Sequence, residues 1–120
     1  MADVEETLRA AYRAFNAREV EAVLELMDPD VDWPNAWEGG RVRGRDAVRE
    51  YWRRQFEQIS GQLEPESFAT REDGSVAVTV HQVVRPTGGG EPISDGRVLH
   101  RWWLRDDLVV RMDVEEIAGE

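Results

Sequence analysis

The sequence has no cysteine, no lysine and only two histidines. Without cysteine there are no disulfides, no thiolate zinc sites and no thiol nucleophile. Without lysine, Schiff-base chemistry on an amine side chain is excluded, and all fifteen basic residues are arginine. Twenty-five acidic residues leave a formal net charge of −10. Phosphate recognition needs concentrated basic charge, so nucleic acid is not an expected partner. No apolar run approaches the roughly 20 residues of a membrane span, so no membrane partner is expected either. The start, Met1-Ala2-Asp3-Val4-Glu5-Glu6, is acidic and runs straight into a helical pattern, the opposite of a signal peptide. A cytoplasmic location is the expectation.

What is present fits one domain over residues 1–120, a length that buries about two thirds of the unfolded chain's surface. Val4, Leu8, Ala11, Tyr12 and Phe15 recur at helical spacing between Asp3 and Ala17. Val20, Val23, Leu24 and Met27 repeat the pattern in a shorter helix, which Asp28-Pro29-Asp30 ends. Val31-Asp32-Trp33 reads as a strand, followed by Pro34 and a turn at Trp37-Glu38-Gly39-Gly40. Gly44-Arg45-Asp46 opens a third helix carrying Val48, Tyr51, Trp52, Gln55, Phe56 and Ile59, and Gly61 is expected to close it. The period then changes to two. Strands are predicted at Leu63–Thr70, Ser75–Arg85, Val98–Arg105 and Leu108–Ile117, with a glycine-rich loop from Pro86 to Pro92. The order α-α-β-α-β-β-β-β predicts an α+β architecture, an antiparallel sheet wrapped on helices.

The run from Ala11 to Val23, the segment Met27-Asp28-Pro29-Asp30-Val31-Asp32-Trp33 and the segment Val42-Arg43-Gly44-Arg45-Asp46-Ala47-Val48 resemble nuclear transport factor 2-like domains. The ending, from Arg101-Trp102-Trp103 to Met112-Asp113, is similar to their SnoaL-like branch. The resemblance implies a cone: a strongly curved sheet, helices closing one side and a cavity between them. It also implies a homodimer formed through the outer face of the sheet. Such folds carry isomerases, cyclases, hydrolases, dehydratases and non-catalytic binding modules, so function has to be argued from side chains.

Alternation assigns faces within each strand. Val98, His100, Trp102 and Leu104 share one face and are expected inward, because Arg101 on the other face seeks solvent. Val110, Met112 and Val114 are expected inward on the last strand, with Arg111, Asp113 and Glu115 outward. The strand from Ser75 has two apolar faces; His81 is placed at the pocket or its rim. Tyr12, Phe15, Trp52 and Phe56 come from the helices, Trp33 and Asn35 from the first strand. An aromatic core accounts for any one of these rings; as a group lining a cavity they point to a small apolar organic ligand.

Ketosteroid isomerase, which the resemblance brings in, works with an Asp base and a protonated Asp beside a Tyr. The matching positions here hold Asn35 and His100, so that pair is absent. The cyclases' Asp on the last strand falls on Val114, and Asp113 beside it faces inward only if a β-bulge turns it. His100 is therefore the candidate general acid–base and Tyr12 the candidate donor to an oxyanion. The plainer role for His100, and more so for His81, is a structural histidine satisfied by its neighbours. There is no His-Glu-x-x-His, and Asp28, Asp30 and Asp32 lack calcium-loop spacing, so no metal or other cofactor is expected. The expected function is binding of a small hydrophobic molecule, with cofactor-independent isomerase, cyclase or hydrolase activity at His100. The alternative is a non-catalytic ligand-binding or dimeric interaction module.

Overall fold

A computed structural model describes residues 3–35 and 39–116. The Asp3 side chain caps the first helix by accepting from the Glu5 amide at 3.1 Å, satisfying one of the orphan donors there. Three helices follow the predicted order: α1 (Val4–Asn16), α2 (Val20–Leu24) and, after two strands, α3 (Arg45–Gln58). Leu8, Ala11 and Tyr12 of α1, Val23 and Leu24 of α2, and Val48, Tyr51 and Trp52 of α3 are the buried stripes. No described helix is long and apolar enough to cross a membrane.

Six strands form one sheet: β1 (Met27–Pro34), β2 (Arg41–Arg43), β3 (Ile59–Thr70), β4 (Val76–Pro86), β5 (Ser94–Arg105) and β6 (Leu108–Glu116), in the spatial order β2-β1-β6-β5-β4-β3. All neighbours are antiparallel except β1 and β6, which run parallel. The helices pack on the concave side of this sheet and share its buried core.

Several expected boundaries move, and β5 starts at Ser94 rather than Val98. The first strand begins at Met27 and takes in Asp28-Pro29-Asp30. Pro29 is tolerated there because β2 reaches β1 only at Asp32, Trp33 and Pro34, and β6 only at Met27 and Asp32, so no ladder bond is lost. Arg41–Arg43, read from sequence as the approach to α3, forms an extra short strand. Gly61 does not close α3: the helix ends at Gln58, β3 starts at Ile59, and Gly61 pairs with Val84 inside the β3–β4 ladder. The expected turn residues Trp37 and Glu38, and the end of the last strand at Ile117, lie outside the described residues.

Side chains lace the helix layer to the sheet rim. Asn16 donates to the Leu63 carbonyl at 2.8 Å and accepts from its amide at 2.9 Å. Arg18, with φ of 62° just beyond α1, donates to the Phe15 and Gly61 carbonyls and to the Ser60 hydroxyl. Arg45 grips the Met27 carbonyl with two donors. These bonds tie α1 and α3 to the sheet.

Candidate functional site

Between the helices and the concave sheet lies a half-open cavity of about 420 Å³, near the low end of the roughly 300–1,000 Å³ usual for pockets that take drug-sized ligands. Its walls continue a chain of aromatic rings. Phe15 meets Trp52 edge-on at 5.4 Å, Trp52 meets Trp33 at 5.3 Å, Trp33 meets Trp102 at 5.7 Å, and Trp102 meets Tyr12 at 5.6 Å. Edge-to-face contacts add about 0.5–1.5 kcal/mol each beyond area burial and hold the rings rigid. The cavity is therefore a preformed apolar surface.

Its polar centre is a buried relay. The Trp102 Nε1–H donates to the Tyr12 hydroxyl at 3.1 Å, and that hydroxyl lies 2.7 Å from His100 Nδ1. Tyr12 and His100 also stack, 5.8 Å between centroids and 11° from parallel. Register explains the meeting: His100 sits opposite Val78 and Val114, Trp102 opposite Val76 and Met112, all on the concave face. Burial disfavours the charged imidazole and pulls the His100 pKa from 6.5 down to about 4. Burial likewise pushes the Tyr12 hydroxyl far above the usual phenol value, against a smaller opposing effect of the Trp102 hydrogen bond. Both groups are neutral at pH 7.

Hydrogen-bond bookkeeping assigns the tautomer. Trp102 occupies one lone pair of the Tyr12 oxygen, and Tyr12 has one proton to place. Donating it to His100 Nδ1 satisfies all three buried groups, since the hydroxyl has no third partner among the described residues. The ring proton of His100 then sits on Nε2, which has no hydrogen bond to any described residue while His100 lines the cavity. The site offers a ligand one fixed, neutral N–H donor.

Of the residues named from sequence, Tyr12, Phe15, Trp33, Trp52, His100, Trp102, Met112 and Val114 line the cavity. Val114 does so while 43% exposed. Three do not. His81 is on the opposite face of β4, where its Nε2 pairs with Asp95 at 2.6 Å; pairing of Val78 with His100 fixes Val76, Val78, Val80 and Gln82 as the concave set. Phe56 turns away to a shallow groove between α2 and α3, under the Arg18 guanidinium at 4.7 Å. Asn35 is displaced by its neighbour Pro34, which lines the cavity; its backbone closes a turn with Gly39 and Gly40.

On β6 the expected inward set is split by a bulge. Trp103 pairs with Arg111 and Leu104 with Val109, so Val110 is the extra residue and Val109, not Val110, is fully buried. That bulge lies before Asp113 and does not turn it inward. Asp113 stays on the convex side, bound to Arg41 at 2.7 Å and Arg111 at 3.1 Å. No described cavity-lining residue is Asp or Glu. Sequence reasoning missed Tyr51, Gln55 and Gln82 as lining residues, although Tyr51 and Gln55 share the apolar stripe of α3 with Trp52, and Gln82 shares a face with Val78 and Val80.

No curated protein matches this chain in sequence. Among solved structures, an NTF2-like protein of unknown function from Burkholderia pseudomallei superposes with a TM-score of 0.83 at 23% identity, over 98% of this chain and 92% of its own. TerC, co-crystallised with polyporic acid, gives 0.80 at 26% identity over 95% and 91%. A Mycobacterium tuberculosis protein in complex with estradiol-17β-hemisuccinate gives 0.79 at 17% identity over 96% and 94%. The backbone is thus an NTF2-like cone. The SnoaL-like domain matches residues 8–112, the span that supplies Tyr12, Trp52, His100 and Trp102 to the cavity, and the chain belongs to that family.

Proposed function

We propose that this chain binds a small, mostly apolar, uncharged organic molecule that presents a carbonyl oxygen to the Nε2–H of His100. The observation that carries this reading is the Trp102–Tyr12–His100 relay in the wall of an otherwise aromatic cavity. A fixed donor in an apolar wall discriminates for an acceptor, because a ligand that lacks one covers the donor and leaves it unpaired. No described lining residue is charged, which disfavours an ionised ligand part at depth. The relatives crystallised with polyporic acid and with estradiol-17β-hemisuccinate support a small organic ligand.

A second reading, cofactor-independent isomerisation, cyclisation or hydrolysis with His100 as acid–base, is supported by the free Nε2 in the cavity wall. Within it, His100 acts best as a neutral electrophile that polarises the carbonyl. Full proton release through the relay would leave a buried tyrosinate, which the raised Tyr12 pKa opposes, and no described lining residue is a carboxylate that could take a proton. Binding is the stronger claim.

The test is calorimetric titration with 4-phenylcyclohexanone and with phenylcyclohexane, which differ by the carbonyl. The ketone should bind about tenfold more tightly, the worth of about 1.4 kcal/mol. His100→Leu should erase the preference, and His100→Gln, whose oxygen can accept from Tyr12 while its N–H faces the cavity, should keep it. Equal affinities in the unmodified protein would contradict the reading. Turnover of a ketone that disappears in His100→Leu would favour the catalytic one. A homodimer through the convex face belongs to the same proposal. There Trp103 lies beneath the guanidinium groups of Arg101 and Arg111, at 6.0 and 5.5 Å. Sedimentation equilibrium of the unmodified protein and of Trp103→Glu tests it, and a monomer in both cases ends it.

A further inference from the structure

The cavity has a second polar pole that the relay does not use. Gln55 on α3 and Gln82 on β4 both line it, and neither side chain hydrogen-bonds to another described residue. They approach the same end of the cone. Ile59, next after α3, pairs with Pro86 at the end of β4. Thr87 ties the two elements together, its amide donating to the Gln58 carbonyl at 3.1 Å and its hydroxyl to the Phe56 carbonyl at 2.7 Å. Gln82 stands four residues along β4 from Val78, the partner of His100. At about 3.3 Å per residue that is roughly 13 Å of strand between the poles. Between them the walls are aromatic and aliphatic.

We infer that the ligand is elongated and bipolar: its carbonyl end meets His100, and its far end carries a neutral hydroxyl or carboxamide held by Gln55 and Gln82. The inference rests on the binding reading above and makes it more specific. Each glutamine presents both a donor and an acceptor. A group that donates and accepts at once, such as a hydroxyl, satisfies one of each. A purely apolar end would shield the amides from water without replacing it, and discrimination against such ligands follows from that penalty. Both residues are half-exposed, so the second pole is reachable from solvent.

The test compares 4-phenylcyclohexanone with 4-(4-hydroxyphenyl)cyclohexanone, which adds one hydroxyl at the far end of the same rod. Calorimetric titration is run on the unmodified protein, on Gln82→Met and on Gln55→Met/Gln82→Met, with thermal unfolding as the check that each variant is folded. The expected result is about tenfold tighter binding of the hydroxyketone, a reduced advantage in the single variant and none in the double variant. Equal affinity of the two ketones for the unmodified protein overturns the bipolar ligand and leaves the carbonyl reading standing. An advantage that survives in the double variant overturns the role of the glutamines. Failure of both ketones to bind overturns the bipolar ligand together with the carbonyl reading. Should Gln55→Met/Gln82→Met fail to fold, Gln55→Met alone is measured beside Gln82→Met, and an advantage undiminished in both single variants is the contrary result.

Discussion

Replacing His100 with Gln should change how stability depends on pH while leaving the relay's geometry occupied. In the folded protein burial holds the imidazole pKa at about 4, against 6.5 for the free side chain. Between those values the unfolded chain binds a proton at this position and the folded chain does not. A depressed folded-state pKa means that the full stability is present above pH 6.5 and is lost as pH falls towards 4. A gap of about 2.5 pKa units at 1.36 kcal/mol each puts the total loss at roughly 3 kcal/mol. Urea unfolding measured at intervals from about pH 4 to pH 8 reads it directly. His81 and the carboxylates are common to both proteins and cancel in the difference. The His100→Gln curve should converge on or cross the unmodified one as the solution becomes acidic, by an amount of that order. Parallel curves would refute the reasoning, because they would mean that His100 titrates alike in the folded and unfolded states.

Tyr12→Phe leaves Trp102 Nε1–H and His100 Nδ1 without partners; at about 1–3 kcal/mol per group, eased by cavity water, the loss should be about 2–4 kcal/mol and the melting temperature should fall by about 10 °C. A fall of less than about 2 °C means the relay contributes nothing to stability. Arg18→Met removes two bonds to β3 and one to the Phe15 carbonyl of α1, and chemical unfolding should show a loss of about 1–3 kcal/mol; no change would make Arg18 a surface ornament of the fold. His81→Ala, on the convex face, should leave ketone affinity within about twofold, so a larger drop in a binding titration would put His81 back in the site.

The cone was legible because its signals were redundant: amphipathic stripes in α1 and α3, then a change of period at Leu63. His100 and Trp102 were placed correctly because Arg101 and Trp103 between them left one plausible inward face on β5. The strand from Val76 gave no such contrast. Ala77 is buried on one face and Val78 on the other, and the choice between Gln82 and His81 depends on pairing with β5, a non-local fact that alternation within one strand does not contain. On β6 the obstacle was a single extra residue, Val110, which shifts the face of everything before it. Phe56 was misplaced because a helix stripe wider than the cavity puts its edge rings outside. Gln55 and Gln82 went unread because an amide on an apolar stripe looks like a tolerated polar residue until the space it faces is known.

The central claim, that His100 is a neutral Nε2–H donor aimed into a ligand cavity, is most directly open to nitrogen NMR of histidine-labelled protein at pH 7. With two histidines in the chain, a His100→Gln sample assigns both rings. The expected result is an uncharged His100 with its proton on Nε2, whose Nε2 resonance shifts with 4-phenylcyclohexanone while His81 stays unchanged. An imidazolium, an Nδ1–H tautomer, or an Nε2 signal that ignores saturating ketone would contradict it.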